Sequence, residues 1–507
     1  MIRFPQATLT FLVTLGILAM DHVHATEGER RSVGHPNIVV ILTDDLGYGD
    51  VAHLNPESKI QTPQLDALAA EGVTALDAHS PSAVCSPSRY AMLTGRYAWR
   101  GVLKAGRLDP WDEPVIETNR PTLATLLDAA GYDTAFFGKW HLGFLWPWKD
   151  GQRPSKKDLG NGDTSKATNA MFDWSKPIQG GPIGAGFDYY FGVDVPNMPP
   201  YAFIENDKLT CEPVDVDGRK LKVMLKAGHI HGSGPGQAGW QLENIMPELT
   251  TRVGDYIGSH AKKPKPFFLV FSMISPHTPI VPTKEFQGKS GAGLYGDYVV
   301  QTDDAIGKVV AALKKAGVFE NTLVVVSSDN GPEEFTRELA RTHQHSPAGP
   351  LRGMKRDLLE GGHRLPFIAS WPDGGISGGR RIDVTISLTD LFATLAAATG
   401  SKIPNGAAED SIDLLPALRE NKPVRSNLVY HAANGKLALR EDDWVYLRRG
   451  GNLKEPEWYL RERGADPLPD TPLLFNLAED PRQFKNLAGS HSERLTAMEA
   501  KLQSIER

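Results

Sequence analysis

From Pro36 onward, short runs rich in Val, Ile and Phe alternate with segments whose apolar residues recur at helical spacing. Continuous apolar runs bounded by polar residues are the pattern of strands buried on both faces. Their alternation with helices predicts an α/β architecture built on a mostly parallel sheet. Four runs stand out. Residues 37–42 lead into Thr43-Asp44-Asp45, and 133–137 into Gly138-Lys139-Trp140-His141. Residues 267–271 lead to Ser275-Pro276-His277, and 322–326 to Ser327-Ser328-Asp329-Asn330-Gly331. Each run empties its carboxyl end into ligand-capable residues, which is where open α/β sheets place their sites.

Between the runs, helices are expected over 121–130 closed by Gly131, over roughly 297–316 closed by Gly317, and over 389–399 closed by Gly400. Two irregular stretches, 149–186 and 229–240, are long for plain connectors and are candidate binding loops. After about Ser426 the texture changes to short alternating segments, such as 437–440 and 444–447, followed by a terminal helix over 492–504. The expected organisation is a large mixed, mostly parallel sheet flanked by helices over 36–425. A smaller C-terminal subdomain of antiparallel sheet plus helix is expected over 426–507.

At 507 residues, 40% hydrophobic and 23% charged, the chain can bury a large core and exceeds the usual single-domain size. A formal net charge of -6 leaves no global basic field to hold nucleic acid or an anionic membrane, so an anionic substrate has to be caught locally. Arg3, the apolar stretch from Leu9 to Met20 and the small-residue pattern Val23-His24-Ala25 read as an export signal over 1–25, cleaved after Ala25. That stretch is short for a bilayer span, so the reading is a secreted or periplasmic protein with no membrane span once the signal is removed. Only Cys85 and Cys211 are present, which excludes a disulfide framework.

The candidate chemistry begins with carboxylates. Asp44-Asp45 at one strand end and Asp329-Asn330 at another offer oxygen ligands only, a set suited to Ca²⁺ or Mg²⁺ rather than zinc. An Asp-Asp pair after a strand is by itself commonly a turn or a cap; the second pair at an equivalent place argues for a metal. In Cys85-Ser86-Pro87-Ser88-Arg89, Ser86 is expected as an N-cap and Pro87 at the first helical position. This puts Cys85 just outside a positive helix end that favours an anion. If Cys85 also faces the oxygen-ligand cluster, a soft thiolate is a poor partner for the hard cation, and that mismatch suggests that the working group is an oxygen species made from Cys85. Gly288-Lys289-Ser290 imitates the end of a P-loop, but Thr283 stands where its first glycine is required.

Cys85-Ser86-Pro87-Ser88-Arg89, with the trailing Leu93-Thr94-Gly95-Arg96, resembles the signature of the type I sulfatases, members of the alkaline phosphatase superfamily. Gly138-Lys139-Trp140-His141-Leu142-Gly143 is similar to that family's second signature. Asp44-Asp45, Pro276-His277 and Asp329-Asn330-Gly331 follow in the family's order, and Lys355 precedes Glu360-Gly361-Gly362-His363-Arg364. The resemblance covers Pro36 to about Pro423. It implies conversion of Cys85 to formylglycine by a formylglycine-generating or anaerobic sulfatase-maturing enzyme, with the hydrated aldehyde as nucleophile. It also implies one Ca²⁺ held by Asp44, Asp45, Asp329, Asn330 and the group derived from Cys85.

On the same resemblance, Arg89 holds the hydrate, and Lys139 and Lys355 face the sulfate oxygens. His277 is the acid for the leaving alcohol, and His141 the base that expels sulfate and restores the aldehyde. Cys211 matches no motif and reads as a small apolar residue. Trp146, Trp148, Trp174 and Trp240, in or beside the irregular loops, are candidates for stacking on sugar rings. Segments such as 275–284 and 431–435 look similar to exported carbohydrate sulfatases, including those acting on 6-sulfated galactose or N-acetylgalactosamine. A sulfated carbohydrate is therefore the expected substrate, with His431 and Asn434 as candidate contacts. Two alternatives stay open: a phosphonate or phosphate ester hydrolase of the same superfamily, and a glycan-binding relative without turnover.

Overall fold

The apolar runs become strands with both faces covered. Along β1 (Asn37–Asp44), side chains alternate across the sheet, so Ile38, Val40 and Leu42 enter one core and Val39 and Ile41 the other. The computed structural model describes residues 35–160, 165–224, 232–448 and 455–507. The expected export signal and Ala25 lie outside the described residues, as do positions 229–231 of the second irregular loop.

Following β1 in the main sheet are β2 (Val73–Ala75), β3 (Asp133–Lys139), β4 (Tyr189–Val193), β5 (Ile204–Glu205) and β6 (Lys208–Leu209). The sheet is completed by β7 (Phe267–Pro276), β8 (Thr322–Ser328), β9 (Phe367–Ser370) and β10 (Arg380–Ile382), in the spatial order β10-β2-β9-β8-β1-β7-β3-β4-β5-β6. Strands β8, β1, β7, β3 and β4 run parallel, while β9 and β5 pair antiparallel to β8 and β4. The sheet is thus mixed and mostly parallel, as the sequence pattern predicts.

Helices cover both faces. On one side lie α1 (Pro63–Glu71), α4 (Ile245–His260) and α5 (Gly293–Lys315). On the other lie α2 (Cys85–Thr94), α3 (Leu123–Ala129) and α6 (Leu391–Thr399). Their ends differ from the expected ones for local reasons. The Thr122 hydroxyl accepts the Thr125 N–H at 3.2 Å and caps α3, so Pro121 stays outside the helix. Helix α6 is preceded by a tighter 3₁₀ turn, Leu388–Asp390, and Gly400 ends it in the left-handed region at φ 65°.

The C-terminal layer is an antiparallel sheet of β11 (Asn427–His431), β12 (Leu437–Glu441), β13 (Trp444–Leu447) and β14 (Leu473–Asn476). Helix α7 (Ser492–Glu506) buries Met498 and Leu502 against Leu439 and Tyr446 of that sheet. A bridge between Ser82 and His431 joins this layer to the segment entering α2. Three two-residue strands, Ala78–His79, Arg364–Leu365 and Ile386–Ser387, form a further ladder that is too short to leave a pattern in the sequence. Among the described residues no helix is long and apolar enough to cross a membrane.

Candidate active site

Because five neighbouring strands are parallel, their carboxyl ends share one edge of the sheet, and the residues that follow them meet there. Strand β1 delivers Asp44 and Asp45, β3 delivers Lys139 and then His141, β7 leads to His277, and β8 leads to Asp329 and Asn330. Asp45 turns the chain at φ 66°, a left-handed conformation that carboxylate side chains tolerate, and its N–H donates to Asp329 Oδ1 at 3.2 Å. Lys355 comes from a loop outside the sheet; its N–H donates to the Pro332 carbonyl at 2.9 Å, which ties that loop to the end of β8.

Asp44, Asp45 and Asp329 meet Lys139, Lys355 and Arg89, all buried. Lys139 Nζ lies 2.7 Å from Asp44 Oδ2, Lys355 Nζ lies 2.6 Å from Asp45 Oδ1, and Arg89 Nη2 lies 2.7 Å from Asp329 Oδ2. Three carboxylates facing three cations leave the cluster formally neutral. Burial raises Asp44 well above the usual carboxylate range against the pull of Lys139, and it raises Asp45 to about 6 against Lys355. For Asp329, burial is outweighed by Arg89, Lys139 and Lys355, and its carboxyl is held below the usual range.

Helix α2 begins at Cys85 itself, with Val84 as an extended N-cap that offers no side-chain oxygen. Ser86 is not the cap. Its hydroxyl instead accepts the Leu108 N–H at 3.3 Å, so Cys85 is the first helical residue rather than the residue before the helix. Burial alone would raise the Cys85 thiol; Lys139, Lys355 and Arg89 bring it below its ordinary value.

Cys85 Sγ lies 3.3 Å from His141 Nδ1, and His141 Nε2 lies 3.1 Å from the Leu108 carbonyl. A carbonyl only accepts, so Nε2 carries the hydrogen and the bare Nδ1 faces position 85. His277 is turned the other way. Its Nδ1–H donates to the Thr278 carbonyl at 2.5 Å, leaving Nε2 pointing inward, 3.8 Å from Asp45 Oδ2. Burial, reinforced by Lys139, drives both imidazoles well below the ordinary histidine range.

Two buried acceptors in this cluster, Asp44 Oδ1 and Asn330 Oδ1, have no hydrogen-bond partner among the described residues. Buried acceptors are rarely left unpaired. Together with the carboxylates of Asp45 and Asp329 they form a set of hard oxygen donors that fits Ca²⁺. A further grouping brings Asp44, Asp45 and His277 within metal-ligating range of one another.

Above the cluster opens a cavity of about 510 Å³, lined by Cys85, His141, His277, Lys355, Arg107, Asn197, Thr278, Glu333, Glu334, Phe335 and Arg356 among others. His431 and Asn434 are not among these lining residues. His431 is 1% exposed, between Ser82 Oγ at 3.1 Å and the Lys104 carbonyl at 3.2 Å, and Asn434 Oδ1 accepts the Lys436 N–H at 3.0 Å. The tryptophans do not line the cavity either. Trp146 packs on Trp111 at 5.2 Å between ring centroids, Trp148 and Trp174 sandwich Phe172 at 4.5 and 4.7 Å, and Trp240 meets Phe203 at 5.0 Å. Trp148 and Trp174 thus each give a ring face to Phe172, whereas Trp146 and Trp240 meet their neighbours edge to face.

The sequence reading missed Asp194, Ser272 and Glu333. Asp194 Oδ1 accepts the His141 N–H at 3.2 Å and helps hold that residue at φ 56°. Ser272 bonds both the Arg89 guanidinium and the Lys139 carbonyl. Glu333 lies 3.5 Å from Lys355 Nζ. Asp194 obeys the strand-end rule at β4, but a five-residue strand containing Gly192 gives too faint a run to draw attention to it.

The family model described as Sulfatase matches residues 36–401. The N-acetylgalactosamine-6-O-sulfatase of Bacteroides thetaiotaomicron is 32% identical over 505 residues, covering 93% of each chain. Arylsulfatase A of Bos taurus is 32% identical over 482 residues, covering 90% of this chain and 84% of the relative. A solved structure described with the metabolism of multiple glycosaminoglycans by Bacteroides thetaiotaomicron has a TM-score of 0.78 at 29% identity, over 93% of this chain and 99% of that one. Fold and site together define a hydrolase of the alkaline phosphatase superfamily. Within it, the chain belongs to the type I sulfatase family and is a sulfuric ester hydrolase.

Proposed function

We propose that this sulfatase removes an O-sulfate group from a carbohydrate, using a formylglycine made from Cys85 and a calcium ion held by Asp44, Asp45, Asp329 and Asn330. The observation that carries the reading is the seat of Cys85. It opens a buried helix beneath the cavity, 3.3 Å from a bare histidine nitrogen and within the field of Lys139, Lys355 and Arg89. Calcium, when bound, supplies positive charge to the sulfate oxygens, and the formylglycine hydrate supplies an oxygen nucleophile.

The chain's own groups do the rest. Lys139 and Lys355 hold buried ammonium groups against Asp44 and Asp45 at the floor of the cavity, with Lys355 on its wall, so charge that develops on sulfate oxygens there would meet fixed cations. Arg89 is fixed by Asp329, Ser272 and the Lys139 carbonyl, which lets it hold an oxygen at position 85 without reorganising. His141 Nδ1 is free to take a proton from that position. His277 Nε2, on the cavity side, is placed to give a proton to the departing alcohol oxygen. A bound sulfate raises the proton affinity of His277 and so counteracts the two lysines.

The carbohydrate assignment rests on the relative named for N-acetylgalactosamine 6-sulfate and on the expected export over residues 1–25. We favour a 6-sulfated galactose or N-acetylgalactosamine, cleaved outside the cytoplasm. The test is a comparison of turnover on 6-sulfated N-acetylgalactosamine, 6-sulfated galactose, an aryl sulfate and the matched aryl phosphonate. Saccharide sulfate should be hydrolysed with a kcat/KM above that of the phosphonate. Faster phosphonate turnover would replace the proposed reaction with attack at phosphorus.

A further inference from the structure

A second buried polar cluster lies between the small three-stranded ladder and the C-terminal sheet. His79, Glu360 and His363 are all 0% exposed, with Asp77, Arg364, Tyr430 and Arg440 around them. His79 Nε2 lies 2.8 Å from Asp77 Oδ1, and His363 Nε2 lies 3.0 Å from the Leu358 carbonyl. The carbonyl only accepts. Asp77 is paired with two guanidinium groups, Arg364 and, at 2.7 Å, Arg440, so it is a carboxylate and it too only accepts. Arg440 Nη1 also lies 3.2 Å from His79 Nε2, but it has a closer acceptor in Asp77 Oδ1 at 2.7 Å, which leaves the His79 Nε2 hydrogen to the Asp77 contact. Each Nε2 then carries a hydrogen, and in neutral rings each Nδ1 is bare.

Those two bare nitrogens face each other at 2.9 Å. Lone pairs at that separation repel unless a cation lies between them. A third donor is at hand: Glu360 Oε1 is buried with no hydrogen-bond partner, while Oε2 is held by Arg364 at 2.8 Å. Ligand atoms of His79, His363 and Glu360 all lie within 4.8 Å of one another.

We propose that His79, His363 and Glu360 form a second metal site, distinct from the oxygen-donor site, for a borderline divalent ion such as Zn²⁺. Two imidazole nitrogens and one carboxylate oxygen are ligands such an ion accepts, and Ca²⁺ is poorly served by them. The outer contacts match as well. Metal-ligating histidines characteristically donate their other N–H to a carbonyl or carboxylate, which is what Leu358 and Asp77 receive here. Arg364 and Arg440 are matched by Asp77 and Glu360, so the ion's own charge is what the coordination bonds have to outweigh. Zn–N bonds of ~2.0–2.1 Å require the two rings to part by a few tenths of an ångström.

The position gives the ion a structural role. Ser80 N–H donates to the His363 carbonyl at 2.8 Å and Gly331 N–H to the Gly362 carbonyl at 2.9 Å, so the Glu360–His363 turn touches the segment leading to Cys85 and the residue that follows Asn330. Tyr430 and Arg440 bring in β11 and β12. A metal there would clamp the C-terminal sheet to the two segments that build the catalytic site.

The test uses the full mature protein, dialysed with CaCl₂ and then supplied with ZnCl₂. Elemental analysis should find roughly one zinc per chain that survives gel filtration, and X-ray absorption of the unaltered protein should show imidazole nitrogens around it. Zinc should also raise Tm. His363→Gln and Glu360→Gln, checked for native circular dichroism, should bind zinc at least roughly tenfold more weakly while calcium binding is unchanged. Failure of the unaltered protein to retain zinc, an all-oxygen zinc shell, or equal zinc affinity in both variants would overturn the site. None of these readouts depends on sulfatase turnover.

Discussion

His141 and His277 each spend one ring N–H on a backbone carbonyl, which fixes the other nitrogen towards the cavity and gives the two residues separable roles. A sugar alkoxide is a far worse leaving group than a nitrophenolate. His277→Ala should therefore lower turnover of a carbohydrate sulfate by ~10² to 10⁴ and spare an activated aryl sulfate, as steady-state kinetics on both will show. Equal losses would remove His277 from proton donation. Away from the site, Asp303 accepts the Gln64 and Leu65 N–H groups at the start of α1, and burial raises it to about 7. A carboxyl raised in the folded state contributes stability that is present below its ordinary value and is lost as pH climbs through about 7. Denaturation curves should show Asp303→Asn gaining about 2 kcal/mol relative to the parent between pH 5 and pH 8. The residues that the sequence singles out and the structure brings together, such as Asp44, Lys139, His141 and Asp329, stand at or just after the ends of long apolar strands. Ser272 lies inside β7, where no local pattern separates a buried hydroxyl that organises Arg89 from one that merely fills space.

At the scale of elements, the close approach of β3 and β7 sets the geometry of Arg89 and Lys139. Gly138 sits there at φ 98°, and a Cβ on it would fall 1.8 Å from the Ser272 carbonyl oxygen. Gly138→Ala should cost at least ~3 kcal/mol in chemical denaturation and abolish most turnover. Gly131→Ala, at φ 87° with nothing within 4 Å, should cost about 1 kcal/mol and leave activity intact. Strand and helix order was legible because both sheet faces are buried and the apolar runs are unbroken. The start of α2 was not, since Ser86-Pro87 carries a capping signal that the hydroxyl spends on Leu108 instead. The packing of Trp148 and Trp174 was hidden for a related reason. Sequence shows an aromatic residue in a loop, but only packing shows that its face is already covered.

Across the whole molecule, the C-terminal sheet completes the wall behind Cys85. Ala83 N–H donates to the His431 carbonyl at 3.0 Å, and Leu428, Val429 and Tyr430 are fully buried. A chain ending at residue 425 would expose that seam, and it should appear in the insoluble fraction on expression rather than as an active monomer. The layer was visible in the sequence as short alternating segments. Its hold on the Ser82–Cys85 segment was not, because the partners lie hundreds of positions apart along the chain. Everything the catalytic proposal asks of the fold converges on the chemical state of position 85. Mass spectrometry of the peptide containing Cys85, on samples converted to different extents and assayed for saccharide sulfate turnover, tests it most directly. Turnover should rise in proportion to the aldehyde form and vanish with it; full activity in a sample whose Cys85 is entirely thiol would contradict the mechanism.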